Sequence, residues 1–278
     1  MKERTEYIIK PHHKFSLGIQ ELMQYQELIY IFTWREIKIK YKQTVIGILW
    51  VVLQPLLMML IINAFLSNVL QQNISTIPYH LYVFSGLISW NLFASATNTS
   101  VNNILSNSHI IKKIYFPRLI IPLSSLISAW LDFMIAFIVL LLFILIKAPL
   151  FLLHLHLFYL LLSLFIISLF SLALGLYFSA LVVKYRDFRY ALPFLIQLLF
   201  FLSPVIYNMR LSHPILQHAL FYLNPMMMGI ELMRKALFAT ELNFSYTQGL
   251  LSLLILFIYF LIGLYLFRRT EEYIADKI

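Results

Sequence analysis

WREIKIKYKQTVIGILWVVLQPLL, Trp34 to Leu57, changes character at one point. Arg35, Lys38, Lys40 and Lys42 stand against a single acid, Glu36, and then no charged residue occurs from Val45 to Leu66. A cationic helix running almost unbroken into an apolar one makes sense where water gives way to hydrocarbon. On a helical wheel Tyr30, Trp34, Ile37 and Tyr41 form one stripe, spaced four, three and four, flanked by Arg35, Lys38 and Lys42. The pattern predicts a helix lying in a membrane interface, rings in the headgroup layer and cations toward anionic lipid. Such a helix either anchors the chain or also reads a ligand. Aromatic belts and basic inner flanks are general features and do not separate the two.

The rest of the chain agrees with that junction. It has 278 residues, 61% hydrophobic and 12% charged, with mean hydropathy +0.83. A soluble domain carries roughly 25% charged residues; this chain has too little polar surface to cover a core in water and belongs with integral membrane proteins. It has no cysteine, which excludes disulfides and thiolate metal sites. A net charge of +9 would suit nucleic acid, but its placement fits membrane topology, and no nucleic-acid partner is expected. The charge-rich first forty residues lack an apolar core followed by a small-residue cleavage site, so no signal peptide is expected.

About 20 helical residues cross a bilayer core. Six segments qualify: Val45–Leu70, His80–Asn103, Leu119–Ile146, Leu153–Val183, Ala191–Tyr207 and Tyr246–Phe267. The expected fold is therefore all-α, with six transmembrane helices, an N-terminal amphipathic interface helix and short re-entrant helices between the fifth and sixth spans. With the amino terminus inside, only Lys147, Arg210, Arg234 and Lys235 fall outside, and every other Lys and Arg is cytoplasmic. The asymmetry predicts two cytoplasmic termini.

Catalytic and ion-coupled chemistry is poorly represented. Asp132 is the one clear ionisable residue inside a span, read either as a carboxylate tying helices together or as a proton carrier. An enzyme acting on a lipid-linked substrate wants two placed acid–base groups or a metal. His154 and His156, two apart, point to different faces of a helix, so no metal site is expected. The seven glycines never form the phosphate-binding Gly-x4-Gly-Lys-Ser/Thr pattern. If ATP drives this protein, another chain hydrolyses it.

Three other regions carry pattern. Asn91, Ser95, Asn98 and Asn102 form a polar stripe along the second span, with Trp90 and Phe93 beside it. Amides next to rings suit a path for sugars, and equally suit glue between packed helices. ILSNSHIIKKIYFPR, Ile104–Arg118, predicts a short amphipathic helix, capped by Ser106 or Ser108 and ended by Pro117. With the charged turn KYRDFR, Lys184–Arg189, it offers cytoplasmic docking points. Beyond Tyr207, Ser212 with Pro214 and Asn224 with Pro225 open two apolar helices, Pro214–Tyr222 and Pro225–Phe238, too short to cross. Glu231 stands one turn from both Arg234 and Lys235. These helices serve as a lid over a path or as a cap over the bundle.

Three stretches together resemble one family. YKQTVIGILWVVLQPL (Tyr41–Leu56), YRDFRYALPFLIQLLFFLSPVIY (Tyr185–Tyr207) and LNPMMMGIELMRKALF (Leu223–Phe238) are similar to permease subunits of polysaccharide-exporting ABC transporters, of type-2 architecture. Those exporters move O-antigen, capsular polysaccharide or teichoic acid precursors. A permease for a drug, antibiotic or small lipid is the alternative within the superfamily. The resemblance implies a cytoplasmic segment 1–44, a permease domain 45–267 with re-entrant outer helices about 212–240, and a cytoplasmic tail 268–278. It implies a homodimer in a bacterial cytoplasmic (inner) membrane, two separate nucleotide-binding subunits that hold ATP and Mg, no cofactor on this chain, and a lipid-linked polysaccharide as cargo. The substrate path would involve Trp50, Trp90, Asn91, Phe93, Ser95, Asn98, Asn102, Phe201 and Tyr207. The coupling surface would involve Ser108, Ile111, Lys112, Lys113, Tyr115, Arg186 and Asp187. Arg35, Lys38 and Lys42 would meet the diphosphate of the carrier.

Replacing Arg35 and Lys38 together with Gln is expected to lower export while leaving assembly intact. Surface glycan in cells carrying the variant measures the first, and recovery of the intact complex the second. Undiminished export would leave those cations a topological role alone.

Overall fold

Gly47 adopts φ 59°, in the left-handed region that a residue without Cβ enters freely, and it sits where the chain turns from an interface into a span. In the computed structural model, which describes residues 19–42, 44, 46–70, 77–208 and 214–277, α1 (Ile19–Gln24) and α2 (Gln26–Tyr41) precede this turn. A 3-10 turn, Gly47–Leu49, leads into α3 (Trp50–Leu70). Then come α4 (Tyr79–Ser106), α5 (Ser108–Ile111), α6 (Ile120–Lys147), α7 (Leu157–Lys184) and α8 (Phe188–Leu202). Next are α9 (Pro214–Leu223), α10 (Pro225–Phe238) and α11 (Tyr246–Lys277). Among the described residues the fold is all-helical, with no strand.

Four stretches are long and apolar enough to cross a membrane: Gly47–Ser67, Ile120–Lys147, Leu157–Lys184 and Tyr246–Glu271. The 28 residues of α4 give it the reach, but its amides and hydroxyls lower its hydropathy; α8 is apolar and only 15 residues long. Large apolar side chains stay exposed on these helices, among them Phe65, Ile138, Phe165, Phe194 and Leu254, an outer surface suited to hydrocarbon.

Several expected boundaries move. The fourth span begins at Leu157, not Leu153, because a 3-10 turn at Pro149–His154 comes first. The fifth ends at Leu202, not Tyr207: Ser203, which precedes Pro204, is extended, as residues before proline tend to be. α11 continues unbroken past Phe267, so no structural boundary falls at 268. The N-cap of α5 is Asn107, rather than Ser106 or Ser108, and it makes no side-chain cap bond. Asn224 does cap α10, its side chain accepting from the Met226 amide at 3.2 Å ahead of Pro225. Ser212 and Arg210 lie outside the described residues.

Hydrogen bonds fix the helix directions. Tyr79 and Tyr82, at the start of α4, donate to the Ile206 and Tyr207 carbonyls just past α8, each at 2.9 Å. Asn103, near the end of α4, donates to Ser125 near the start of α6 at 2.9 Å. The bundle thus has one end carrying α2, α5 and the α7–α8 turn, and a far end carrying α9 and α10. At the α2 end, Phe32, Ile104, Ile111, Phe116, Leu119 and Phe267 form their own apolar cluster.

Lipid tails are as apolar as leucine, so close packing and polar contacts must hold such helices together. α7 packs centrally against α4, α10 and α11, and small residues make that possible. A Cβ on Gly263 of α11 would lie 2.5 Å from the Ala173 carbonyl of α7. Ser163 of α7 donates to the Gly229 carbonyl of α10 at 2.7 Å. At the far end Arg234, not Lys235, pairs with Glu231, at 3.6 Å with both side chains buried; Lys235 lies over the Tyr159 ring.

Gly263→Ala is expected to force α7 and α11 apart, with an overpacking loss of about 1–3 kcal/mol. Thermal unfolding in detergent reads it: a lower Tm is the expected result, and an unchanged Tm would mean that the contact has slack.

Candidate functional site

The face of α2 turned toward the protein carries Phe32, Thr33 and Glu36, spaced to fall on one side of a helix. Glu36 is 7% exposed. Its Oε1 accepts from Asn103 Nδ2 at 2.6 Å and from the hydroxyls of Ser124 and Ser125 at 3.1 and 3.3 Å. Its Oε2 is buried without a hydrogen-bond partner. Burial pushes the carboxyl up to about 7, against the opposing pull of the serine hydroxyls and of Arg35 and Lys40. Next to it Arg35 donates to the Asn107 side chain at the end of α4 and stacks on Phe32, 4.8 Å from the ring centre.

One turn on, α2 reaches α6 a second time. Lys40 pairs with Asp132, and the Tyr41 hydroxyl donates to the other oxygen of the same carboxylate. Burial and the Asp132 carboxylate raise the Tyr41 phenol above its ordinary value, which keeps it a donor. Asp132 therefore fits the expectation of a carboxylate that ties helices together. Lys40 Nζ also lies 3.3 Å from Ser95 Oγ on α4.

These residues stand at the rim of a cavity of about 550 Å³ between α2, α3, α4 and α6. Its α4 wall carries Asn91, Ser95 and Asn98, so three members of the polar stripe do face one space. α3 contributes Trp50 and Gln54; Ile88, Leu92, Ala129, Phe133 and Ala136 supply apolar lining. The fourth stripe residue, Asn102, is exposed beyond the cavity and donates to the Asn98 carbonyl at 3.0 Å.

The other expected path residues go elsewhere. Trp90 and Phe93 do not line the cavity: both are buried, Phe93 stacked on Phe170 and Trp90 edge-on to Phe200. Trp50, by contrast, does line the cavity, beside Lys40 and Tyr41 at the α2 end. Phe201 and Tyr207 lie at the far end, joined by a hydrogen bond from the Tyr207 hydroxyl to the Phe201 carbonyl at 2.8 Å. Lys38 and Lys42 are exposed, Lys38 over the Trp34 ring at 5.5 Å. In the aromatic stripe of α2, Tyr30 and Trp34 are exposed as an interface helix requires, whereas Ile37 and Tyr41 are half-buried. Lys112, Lys113 and Tyr115 project from the α4–α6 connection, and Arg186 and Asp187 from the α7–α8 turn. Ile111 packs inward, and Ser108 is half-buried. Sequence reasoning missed Glu36, Lys40 and Tyr41 as a group. Their signal was spacing, since Glu36 and Lys40 are four apart on α2, one turn of a helix.

An all-helical bundle with lipid-suited faces, an interface helix bound to it by polar contacts, and a mostly apolar cavity with polar groups along α4 beside that helix fit a polytopic membrane protein of transport type. The chain belongs to the ABC-2 type transporter family, which it matches over residues 27–238. It is 28% identical over 181 residues to the O-antigen export system permease protein RfbA of Klebsiella pneumoniae, covering 65% of this chain and 69% of the relative. A protein of the same name from Myxococcus xanthus is 27% identical over 191 residues, 69% of this chain and 72% of its own. The polysialic acid transport protein KpsM of Escherichia coli is 27% identical over 241 residues, 86% of this chain and 91% of its own.

The raised carboxyl of Glu36 has a pH consequence. Between its ordinary value of 4.5 and about 7, the folded chain holds a proton that the unfolded chain has released. This contribution is complete below about 4.5, falls as pH rises, and is gone above about 7. Glu36→Gln keeps the acceptor and removes the titration. It is expected to exceed the parent's stability at pH 8 by on the order of 3 kcal/mol, at about 1.4 kcal/mol per pKa unit, with the gap closing toward pH 5. Unfolding in detergent at the two pH values checks it; a gap that ignores pH would assign the titration to another group.

Proposed function

We propose that the chain is the membrane-spanning subunit of an ATP-driven exporter that carries a lipid-linked polysaccharide across the bacterial cytoplasmic membrane. The observation that carries this reading is its family membership, together with relatives named for O-antigen export and polysialic acid transport over most of its length. In this reading α3, α4, α6, α7, α8 and α11 are the six spans, the α2 end is cytoplasmic, and α9 and α10 re-enter at the outer side. The positive charge of the α2 end supports that orientation.

Two copies would form the pathway above two nucleotide-binding subunits, which bind the ATP and Mg. The exposed Lys112, Lys113 and Tyr115 and the Arg186–Asp187 turn stand at one end of the bundle, where such subunits would dock. ATP-driven closure would then push on the α4–α6 connection and, through Asn107 and Arg35, on α2. The phosphate groups of a carrier lipid would meet the exposed Lys38 and Lys42 in the interface, whereas Arg35, expected with them, is half-buried and engaged by Asn107 and Phe32.

Isolation of the tagged chain from its native membrane in mild detergent tests the reading. Recovery of a P-loop ATPase in equal amount, identified by mass, is the expected result. Repeated recovery of the intact chain with no ATPase would overturn it.

A further inference from the structure

The cavity between α2, α3, α4 and α6 has a lining whose chemistry specifies a ligand. We propose that it is a binding site for an uncharged sugar ring, a role that rests on the glycan-export reading and names which part of the cargo is held there. Its volume of about 550 Å³ falls within the roughly 300–1,000 Å³ of small-molecule sites.

Charge is the first argument. Lys40 and Asp132 are the two charged residues of the lining, and they face each other in an ion pair. A site for a phosphate or an acidic sugar carries surplus cations; this lining sums to zero and includes a carboxylate that repels anions. The exposed cations Lys38 and Lys42 lie outside the lining, so a charged headgroup and an uncharged ring have separate places.

Hydrogen bonding is the second. Sugar hydroxyls donate and accept at once, and they need partners that do the same. Asn91 and Asn98 on α4 and Gln54 on α3 each offer both senses, as does the Ser95 hydroxyl. A carboxylate accepts from two neighbouring hydroxyls, which Asp132 is placed to do. Trp50, 52% exposed and part of the lining, supplies an aromatic ring of the kind on which the C–H side of a sugar packs. A purely lipid-filled groove would not require four amide or hydroxyl side chains converging from two helices.

The arrangement also links binding to α2. Both Asp132 oxygens are held by α2, one by Lys40 and one by Tyr41. A ring seated on Asp132 exchanges with those donors and frees the last turn of α2 from α6, while the Glu36 contacts one turn back hold.

The assembly isolated from its native membrane and placed in lipid nanodiscs is titrated with hexyl glucoside, and separately with hexyl phosphate of the same tail. Saturation-transfer NMR on the probe reads the Kd. Saturable glucoside binding, weakened roughly ten-fold or more by Asn98→Ala and by Asp132→Asn, the loss expected for one strong hydrogen bond, supports the site. Asn98→Ala touches no contact of α2, so its effect is free of any loosening there. Glucoside that never saturates, tighter binding of hexyl phosphate at the same residues, or variants that bind glucoside like the parent would each overturn it. ATPase recovery is scored on the same preparation. ATPase present without glucoside binding removes the sugar site alone; ATPase absent removes the exporter reading, whatever the probe does.

Discussion

A polar group carried into or beside hydrocarbon must find its partner within the protein, because no water is there to supply one. That requirement places α2. Its Glu36 is bonded at Oε1 by Asn103, Ser124 and Ser125, and its last turn by Asp132, so the helix meets α4 and α6 at fixed points. Tyr30, Trp34, Lys38 and Lys42 therefore face the surroundings, while Phe32, Thr33 and Glu36, on a face that composition alone does not reveal, meet the bundle.

The same rule operates at the far end with different residues. α8 stops at Leu202, and the extended segment after it leaves carbonyls that no helix satisfies. Arg234, 1% exposed, reaches them from α10: it donates to the Val205 carbonyl at 2.8 Å and to the Tyr82 hydroxyl at 2.6 Å, with Glu231 balancing its charge at 3.6 Å. Its guanidinium stacks on the Tyr82 ring, 3.4 Å from the centre. Gly86 permits the approach, since a Cβ there would meet the Val205 carbonyl at 2.5 Å. α10 is thus fastened to α4 at the end opposite α2, and α4 is common to both fastenings.

Between the two, α4 divides its faces. Phe93 and Trp90 fill the protein side against α7 and α8, while Asn91, Ser95 and Asn98 open on the cavity toward α3 and α6. One helix both supports the core and lines the polar space because its two kinds of residue alternate at helical spacing. Movement transmitted to the end of α4, where Asn107 meets Arg35, would reach the cavity rim and α2 together.

The sequence alone determined the class, the helices and the polar stripe, since each rests on short-range pattern. Uninterrupted apolar runs of bilayer length identify spans, Pro225 after Asn224 starts α10, and spacings of four and three place Asn91, Ser95 and Asn98 on one face. It also singled out Asp132 inside a span, while leaving open a tie between helices or a proton carrier and not giving the residues it meets. Only the tertiary structure decided those pairings: Lys40 and Tyr41 lie more than ninety residues from Asp132, and Asn103 lies 67 residues from Glu36. It also decided that Trp90 and Phe93 turn into the core while Trp50 stands at the cavity. Local periodicity assigns a residue to a face of its own helix. Which neighbour that face meets depends on contacts between segments far apart in the chain, and no pattern within one segment encodes them.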